Sequence, residues 1–231
     1  MSSFDWTWWN YCPHFRKARF GNKLTNGVSL PDISSKGIRH FAHLFDYYVD
    51  YLYEMSNNPE KFYSTFYIPK RNGTKRRIDA PNEHLKKVQT WILTEILYHI
   101  PCSNYAKAYI PGTAVKDNAR FHCGQKIVLT MDVKDFFSSI SSDRILNLFL
   151  SCDYEIPVAT LLTNLCCYNN SLPQGAPTSA YLSNLVMRQF DESIGDYCKT
   201  QGIRYTRYAD EMKKKATICS TSMEKLTMCS M

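Results

Sequence analysis

The chain has 231 residues, of which 44% are hydrophobic and 14% aromatic, so it can bury a sizeable core in one large domain or two lobes. Its nine cysteines lack Cys-x-x-Cys spacing, which argues against a disulfide framework or a zinc site. No apolar run approaches the roughly 20 residues of a membrane helix. The N-terminus has no signal-peptide pattern either, so we expect a cytoplasmic protein with reduced thiols and no membrane partner.

The net charge of +7 is unevenly distributed. The basic segment of residues 68–90 carries seven cationic side chains against two acidic ones: Lys70, Arg71, Lys75, Arg76, Arg77, Lys86 and Lys87 against Asp79 and Glu83. Such a segment is more often a solvated face and less often a phosphate-binding one. Alone, it does not decide between the two.

The sequence of the N-terminal third predicts an irregular aromatic segment, then a helix and a β-hairpin. Residues 1–30 could cap the fold or serve a partner, and the sequence leaves both open. Apolar spacing predicts a helix over 36–56. Asn-Gly between two β-prone runs, 63–69 and 75–80, predicts a β-hairpin around Arg71-Asn72-Gly73-Thr74.

The rest of the chain alternates helices and strands up to residue 212. In order, we predict a helix over 83–99, a helix over 114–122, a buried strand over 126–132, helices over 141–151 and 156–168, a rigid turn over 172–177, a helix over 178–200 and a strand over 203–208. Residues 213–231 show neither a helical nor a strand period, and we expect a disordered or aberrant tail.

Two of these strands end in a carboxylate. Leu129-Thr130-Met131 leads into Asp132, and Tyr208-Ala209 leads into Asp210. If the strands lie side by side, the two carboxylates share one pocket, which is what a site with two Mg²⁺ ions for phosphoryl transfer needs.

The order of the motifs resembles a reverse transcriptase of the bacterial retron type. The resemblance rests on four segments: Ile68 to Ile78, Met131-Asp132-Val133-Lys134-Asp135-Phe136-Phe137, Leu172-Pro173-Gln174-Gly175-Ala176-Pro177-Thr178-Ser179, and Tyr205 to Asp210. Asn118-Ala119-Arg120-Phe121-His122 is similar to an Asn-Ala-x-x-His element typical of retrons. Group II intron and diversity-generating relatives share much of the rest, and they remain an alternative.

The resemblance implies a role for each matching residue. Asp132 and Asp210 would be catalytic and would hold two Mg²⁺ ions with the Val133 carbonyl and Glu211. The nucleotide-binding side chains would be Lys70 and Arg77 on the triphosphate, Phe137 excluding a 2′-hydroxyl and Gln174 at the Pro-Gln-Gly turn. RNA-binding side chains would be Arg71, Lys75, Arg76, Asn118 and His122.

Plainer interpretations stay open for several of these residues. The basic side chains could simply solvate an edge hairpin, and Phe137 could belong to the core at a helix start. Asn118 and His122 could brace the palm instead of touching RNA.

The chain also departs from the family pattern. Glu211 stands where the family has the second Asp of Tyr-x-Asp-Asp, and a Met-Lys-Lys-Lys run follows. The ending lacks a recognisable partner strand for Asp210 and a thumb, so we expect Asp210 at an exposed edge. A truncated or frameshifted reverse transcriptase with weak or no polymerisation on its own would explain this ending.

The implied fold is α+β, with right-hand polymerase fingers, a partial palm whose antiparallel sheet packs on helices, and a missing thumb. We divide the chain into an N-terminal segment (1–60), fingers (61–125), palm (126–212) and tail (213–231). The implied function is DNA synthesis from dNTPs on a structured RNA template-primer, in a bacterial anti-phage element with a possible effector protein. The alternative is a non-catalytic RNA-binding fragment.

Overall fold

The computed structural model describes residues 3–4, 29–31, 33, 37–70, 73–125 and 127–216, with the backbone alone for 3–4 and 211–216. Helices accompany a four-stranded and a two-stranded sheet in this part of the chain, which confirms the α+β class. The chain forms two compact units. Unit 1 comprises Met1–Asp5, Ser103–Lys134 and Met187–Met231, and unit 2 comprises Trp6–Cys102 and Asp135–Val186. The fingers, palm and tail boundaries and the missing thumb remain predictions.

The elements follow in chain order. They are β1 (Ser3–Phe4), α1 (Ile38–His43), α2 (Val49–Asn57), a 3₁₀ turn (Pro59–Lys61), β2 (Tyr63–Pro69), β3 (Lys75–Pro81), α3 (Glu83–Trp91), a π-helical turn (Ile92–Ile96), a 3₁₀ turn (Leu97–His99), α4 (Val115–Phe121), β4 (Ile127–Val133), α5 (Ser142–Ser151), α6 (Ile156–Cys166), α7 (Ser179–Thr200), β5 (Arg204–Tyr208) and β6 (Glu211–Ala216). Most helices and strands predicted between residues 63 and 208 are confirmed to within about two residues at each end. The exception is the helix predicted over 83–99, which is α-helical only to Trp91 and continues as the π-helical and 3₁₀ turns to His99.

Two helices, α1 and α2, replace the single helix predicted over residues 36–56. The chain turns at Asp46, whose φ of 59° lies in the left-handed region. Left-handed backbone ends a right-handed helix, and aspartate tolerates it better than most residues do. The single-helix prediction is therefore wrong, although Phe41 and Leu52 are buried as their spacing predicted.

The predicted hairpin of unit 2 is confirmed. β2 and β3 pair antiparallel from Tyr63 opposite Pro81 to Pro69 opposite Lys75. Beyond the last pair, the amide of Lys70 donates to the Thr74 carbonyl at 2.7 Å and continues the ladder into the turn. Arg71 and Asn72, at the tip, lie outside the described residues.

The core of unit 2 is built around α6. This helix packs on α5, α2 and α3 and buries residues on several sides, as expected of a helix that is apolar all round. Gln89 of α3 is fully buried, and its Nε2 donates to the Tyr63 hydroxyl at 2.7 Å and to the Leu165 carbonyl at 2.8 Å. Burial raises the pKa of Cys166 to about 12, so this thiol belongs to the core and is unreactive.

The sheet of unit 1 has the strand order β1-β4-β6-β5. β1 runs parallel to β4, and β6 pairs antiparallel with both β4 and β5. β5 gains a further neighbour on its other edge, because the amide of Arg207 donates to the Tyr105 carbonyl and the amide of Lys107 donates to the Arg207 carbonyl.

The strand β6 corrects the expectation that Asp210 lacks a partner strand. Residues 213–216, expected to belong to the tail, pair with β4 and β5, so Asp210 is not at an exposed edge. An inner strand is held by backbone hydrogen bonds to both neighbours, and this pairing does not require the apolar alternation that the Lys213-Lys214-Lys215 run lacks. The rest of the predicted tail, 217–231, lies outside the described residues.

β4 differs from the buried strand that its apolar sequence predicted. Ile127, Val128 and Leu129 are exposed at 49%, 45% and 47%, and burial is reached only at Val133, which is 2% exposed. The strand therefore becomes buried toward the end that carries Asp132. Among the described residues, no helix has both the length and the apolar composition needed to span a bilayer.

Candidate active site

The end of β4 and the β5–β6 turn bring two carboxylates together in unit 1. Asp132 lies opposite Glu211 in the β4–β6 ladder, and Tyr208 lies opposite the same Glu211 in the β5–β6 ladder. Ala209 and Asp210 therefore form a two-residue turn next to β4. The Val133 amide donates to the Asp210 carbonyl at 3.1 Å. Because directly opposed residues have Cα atoms about 4.5–5.5 Å apart, Asp132 and Asp210 lie at the same end of the sheet.

The donor set at this end of the sheet consists of oxygen atoms. Asp132 and Asp210 are both partly exposed, and Val133, with its backbone carbonyl, directly follows Asp132. Among the side chains that the structure describes, no group of three or more His, Cys, Asp or Glu is arranged as a metal site, and this end of the sheet offers two such carboxylates. Mg²⁺ is usually bound by one or two carboxylates together with substrate phosphates, so these residues fit that ion. The Glu211 side chain is outside what the structure describes.

Behind the turn, a buried ion pair that the sequence analysis missed joins β5 to α7. Arg207 and Asp191 are both 0% exposed, and Nη2 of Arg207 lies 2.7 Å from Oδ2 of Asp191. Nη1 of Arg207 donates to the Ala209 carbonyl at 2.9 Å. Tyr205 donates its hydroxyl to Asp191 at 2.9 Å, and burial followed by the Asp191 charge raises the Tyr205 pKa well above its usual value.

Asn118 and His122 lie on the opposite side of β5, inside unit 1. Both are buried, at 3% and 2% exposure. Thr206 donates its hydroxyl to Oδ1 of Asn118 at 2.8 Å, and the His122 Nε2 is 2.5 Å from the same hydroxyl. Since one hydroxyl donates only one proton, His122 donates through Nε2. Their burial favours the alternative in which they brace the palm, and the RNA-binding assignment stays a prediction.

The side chains predicted to bind the nucleotide lie in unit 2. Nε of Arg77 donates to Oδ1 of Asp79 at 2.9 Å, and Thr65 donates to the same oxygen at 2.6 Å. The Asp79 amide donates to the Gln174 carbonyl at 2.9 Å. Asp79, which the sequence analysis missed, thus connects Arg77 to the Pro-Gln-Gly turn that carries Gln174.

The remaining predicted residues are less constrained. Lys70, Lys75 and Arg76 are exposed on the hairpin, and Arg71 lies outside the described residues. Phe137 is partly exposed in a turn and packs edge-on against Phe136, with ring centroids 5.4 Å apart. The roles of these residues remain predictions.

Sites with two divalent metal ions, which carboxylates can hold, are typical of enzymes such as polymerases and nucleases. Residues 68–229 match the family described as reverse transcriptase (RNA-dependent DNA polymerase). The chain therefore belongs to the reverse transcriptase family.

Several curated relatives are retron enzymes. The chain is 30% identical over 220 residues to the retron Ec86 reverse transcriptase of Escherichia coli, an alignment covering 94% of this chain and 64% of the relative. It is 34% identical over 170 residues to the retron Mx65 reverse transcriptase of Myxococcus xanthus, covering 66% and 40%. It is 31% identical over 175 residues to the retron Ec83 reverse transcriptase of Escherichia coli, covering 71% and 56%.

These matches confirm the predicted resemblance to retron reverse transcriptases. The chain spans between 40% and 64% of the length of these three relatives.

Proposed function

We propose that this chain is a retron-type, RNA-directed DNA polymerase whose catalytic carboxylates are Asp132 and Asp210. The observation that carries the proposal is the register of β4, β6 and β5, together with the hydrogen bond from Val133 to the Asp210 carbonyl. This pairing brings two acidic residues, 78 positions apart in the sequence numbering, to one end of one sheet.

In unit 1, Asp132, Asp210 and the Val133 carbonyl would hold two Mg²⁺ ions, with Glu211 as a further candidate ligand. When bound, such ions stabilise the attacking and leaving oxygens of an in-line phosphoryl transfer. The protein contributes position and charge: the β4–β6 ladder fixes the spacing of the two acidic residues, and their partial exposure leaves room for substrate oxygens.

In unit 2, the proposed nucleotide contacts are charged or planar groups. Arg77 has a fork-shaped guanidinium suited to a triphosphate, and its Nε is already oriented by Asp79. Lys70 adds a point charge at the end of the same hairpin. Phe137 would select against a 2′-hydroxyl, and Gln174 would contact the nucleotide beside the Pro-Gln-Gly turn.

The proposed partners are a structured RNA template-primer, dNTPs and an effector protein of an anti-phage element in the bacterial cytoplasm. Support comes from relatives that are retron reverse transcriptases of bacteria. The exposed basic side chains of the hairpin add a surface that suits RNA phosphates.

We propose that the chain is active, in contrast to the weak or absent polymerisation expected from its ending. That expectation depended partly on a missing partner strand for Asp210, and β6 supplies this strand. The test is primer extension by the purified chain on an RNA template with dNTPs, comparing Mg²⁺ with Ca²⁺, which prefers longer bonds and more ligands. We expect DNA synthesis with Mg²⁺ and little with Ca²⁺; no extension in either metal would contradict the proposal.

We further expect the hairpin to bind RNA electrostatically. Lys75 and Arg76 are exposed on β3, and the neighbouring β2 exposes Phe66 at 46% and Tyr67 at 60%, which are surfaces for base stacking. Replacing both Lys75 and Arg76 by Ala should weaken RNA binding and reduce its log–log salt slope by roughly 0.7–0.9 for each phosphate that the variant no longer neutralises.

The matched control for the hairpin variant is Lys61→Ala. Lys61 is also an exposed lysine of unit 2, but its charge is paired with Glu54 at 2.8 Å. Filter binding across a salt series measures both variants, and an equal decrease in affinity for the control would contradict a specific hairpin contact. RNA binding through the hairpin without any extension would favour the alternative function, a non-catalytic RNA-binding module.

A further inference from the structure

The buried pair of Arg207 and Asp191 is joined by several hydrogen bonds, more than are needed to neutralise the two charges. Arg207 contacts Asp191 through both Nε, at 3.0 and 3.1 Å from the two carboxylate oxygens, and Nη2, at 2.7 Å from Oδ2. Such a bidentate contact fixes the plane of the guanidinium. The main chain of Arg207 is also held, because it exchanges hydrogen bonds with Tyr105 and Lys107.

With its plane fixed, the guanidinium directs Nη1 at the turn that carries Asp210. Nη1 donates to the Ala209 carbonyl at 2.9 Å. Ala209 has a φ of 58°, which is left-handed backbone that disfavours residues with a Cβ by roughly 1–2 kcal/mol. A charge-assisted hydrogen bond to the carbonyl of that residue holds the peptide that leads directly into Asp210.

Stability alone is a weak reason for such a pair. Burying two charges costs desolvation, and well-packed apolar side chains of similar volume are often as stabilising or more so. An apolar pair, however, cannot donate a hydrogen bond to the Ala209 carbonyl. What the charged pair adds beyond packing is therefore this hydrogen bond to the turn that carries Asp210.

We propose that Asp191 and Arg207 are positioning residues, which orient the Ala209–Asp210 peptide so that Asp210 and Asp132 face the same metal ions. The inference rests on the proposed function in one respect, that Asp132 and Asp210 are metal ligands. The chain of contacts runs from α7 through Asp191 to Arg207, and from there to the Ala209 carbonyl.

Two variants separate the hydrogen bond from the charge and the packing. Arg207→Lys keeps a cation opposite Asp191, but a single ammonium lacks the fork that also reaches Ala209. The triple variant Asp191→Leu, Arg207→Met and Tyr205→Phe replaces the three polar side chains by apolar groups and removes the donor to the Ala209 carbonyl. The matched control is Arg188→Lys, because Arg188 also lies on α7 in unit 1 and pairs with Glu192 at 3.0 Å.

Hydrogen exchange measured without metal tests the positioning directly. We expect amide exchange in residues 208–212 to become at least tenfold faster in Arg207→Lys and in the triple variant, with the melting temperature of the triple variant close to that of the parent. The control should leave exchange in this segment unchanged. Unchanged exchange in both test variants would overturn the proposal, and so would loss of the fold in both, since the pair would then be a stability element.

Mn²⁺ binding, followed by electron paramagnetic resonance, tests the consequence for the metal site. We expect the Kd for Mn²⁺ to rise at least tenfold in both test variants and to stay unchanged in Arg188→Lys. Faster exchange with an unchanged Mn²⁺ affinity would overturn the role of the pair in metal binding. If the parent chain itself binds no Mn²⁺, the proposed function fails, while the exchange data still decide whether the pair holds the turn.

Discussion

Replacing Asp132 by Asn is expected to lower the rate of Mg²⁺-dependent primer extension by about 10³-fold, corresponding to about 4 kcal/mol of transition-state stabilisation. Asn keeps the shape of the side chain but loses the negative charge and one ligand oxygen. The β4 position of Asp132 opposite Glu211 depends on backbone pairing, which the substitution leaves in place. Asp210→Asn should have a similar effect, because Asp210 supplies the second carboxylate.

The matched control is Asp143→Asn, which makes the same chemical change at an exposed position in the first turn of α5. Its extension rate should stay within about twofold of the parent, as is usual for a surface change with a small free-energy effect. Single-turnover extension with saturating primer and dNTP measures the chemical step, and circular dichroism checks the fold. An Asp132→Asn rate within tenfold of the parent would contradict the catalytic assignment.

The location of the two carboxylates could be predicted because each follows a local pattern. The apolar run before Asp132 predicts a strand, and the β-prone residues before Tyr208 predict another. Motif order then identified the family, and both strands are where the sequence placed them. Only the pairing that brings the strands together required the structure.

β6 could not be predicted, because its stability comes from pairing that is not local. Met212-Lys213-Lys214-Lys215 has neither apolar alternation nor a continuous apolar run, and these are the two patterns from which a strand is predicted. In the structure this strand lies between β4 and β5, where both of its edges bond to neighbours.

The polar networks behind the turn were missed for a different reason. Arg207 and Asp191 are 16 positions apart, on a strand and a helix, and each alone resembles an ordinary surface charge. One signal was available: side chains two apart on a strand share a face, so Arg207 lies on the same face as the apolar-aromatic Tyr205. Both prove to be buried, at 0% and 1% exposure.

Similar reasoning applies to Asn118 and His122. The Asn-Ala-x-x-His spacing places both on one face of α4, since residues four apart on a helix are neighbours. It does not show which way that face points. The partner is Thr206, 88 positions from Asn118, and only the three-dimensional structure reveals that the face is directed inward.

Gly175→Ala is expected to destabilise unit 2 by about 3 kcal/mol or more, through a steric clash combined with an unfavourable φ. A Cβ at Gly175 would lie 2.7 Å from the Asp79 carbonyl oxygen and 3.0 Å from Cγ2 of Ile78. The oxygen belongs to a β3 backbone that cannot move freely, because the Asp79 amide also donates to the Gln174 carbonyl. The φ of 141° at Gly175 is itself rare for residues with a side chain.

Gly73→Ala separates the clash from the backbone conformation. Gly73 lies in the same unit, also has a positive φ, 81°, and has open space where a Cβ would be added. The Gly73→Ala variant should lose only roughly 1–2 kcal/mol of its free energy of unfolding, which is what a left-handed residue with a Cβ costs. Urea unfolding monitored by circular dichroism measures both variants, and equal destabilisation by the two substitutions would show that the contact with Asp79 is not tight. If Gly175→Ala is the more destabilising variant, it should also weaken dNTP binding. Its added Cβ would push on the backbone of Asp79, and the Asp79 side chain orients Arg77.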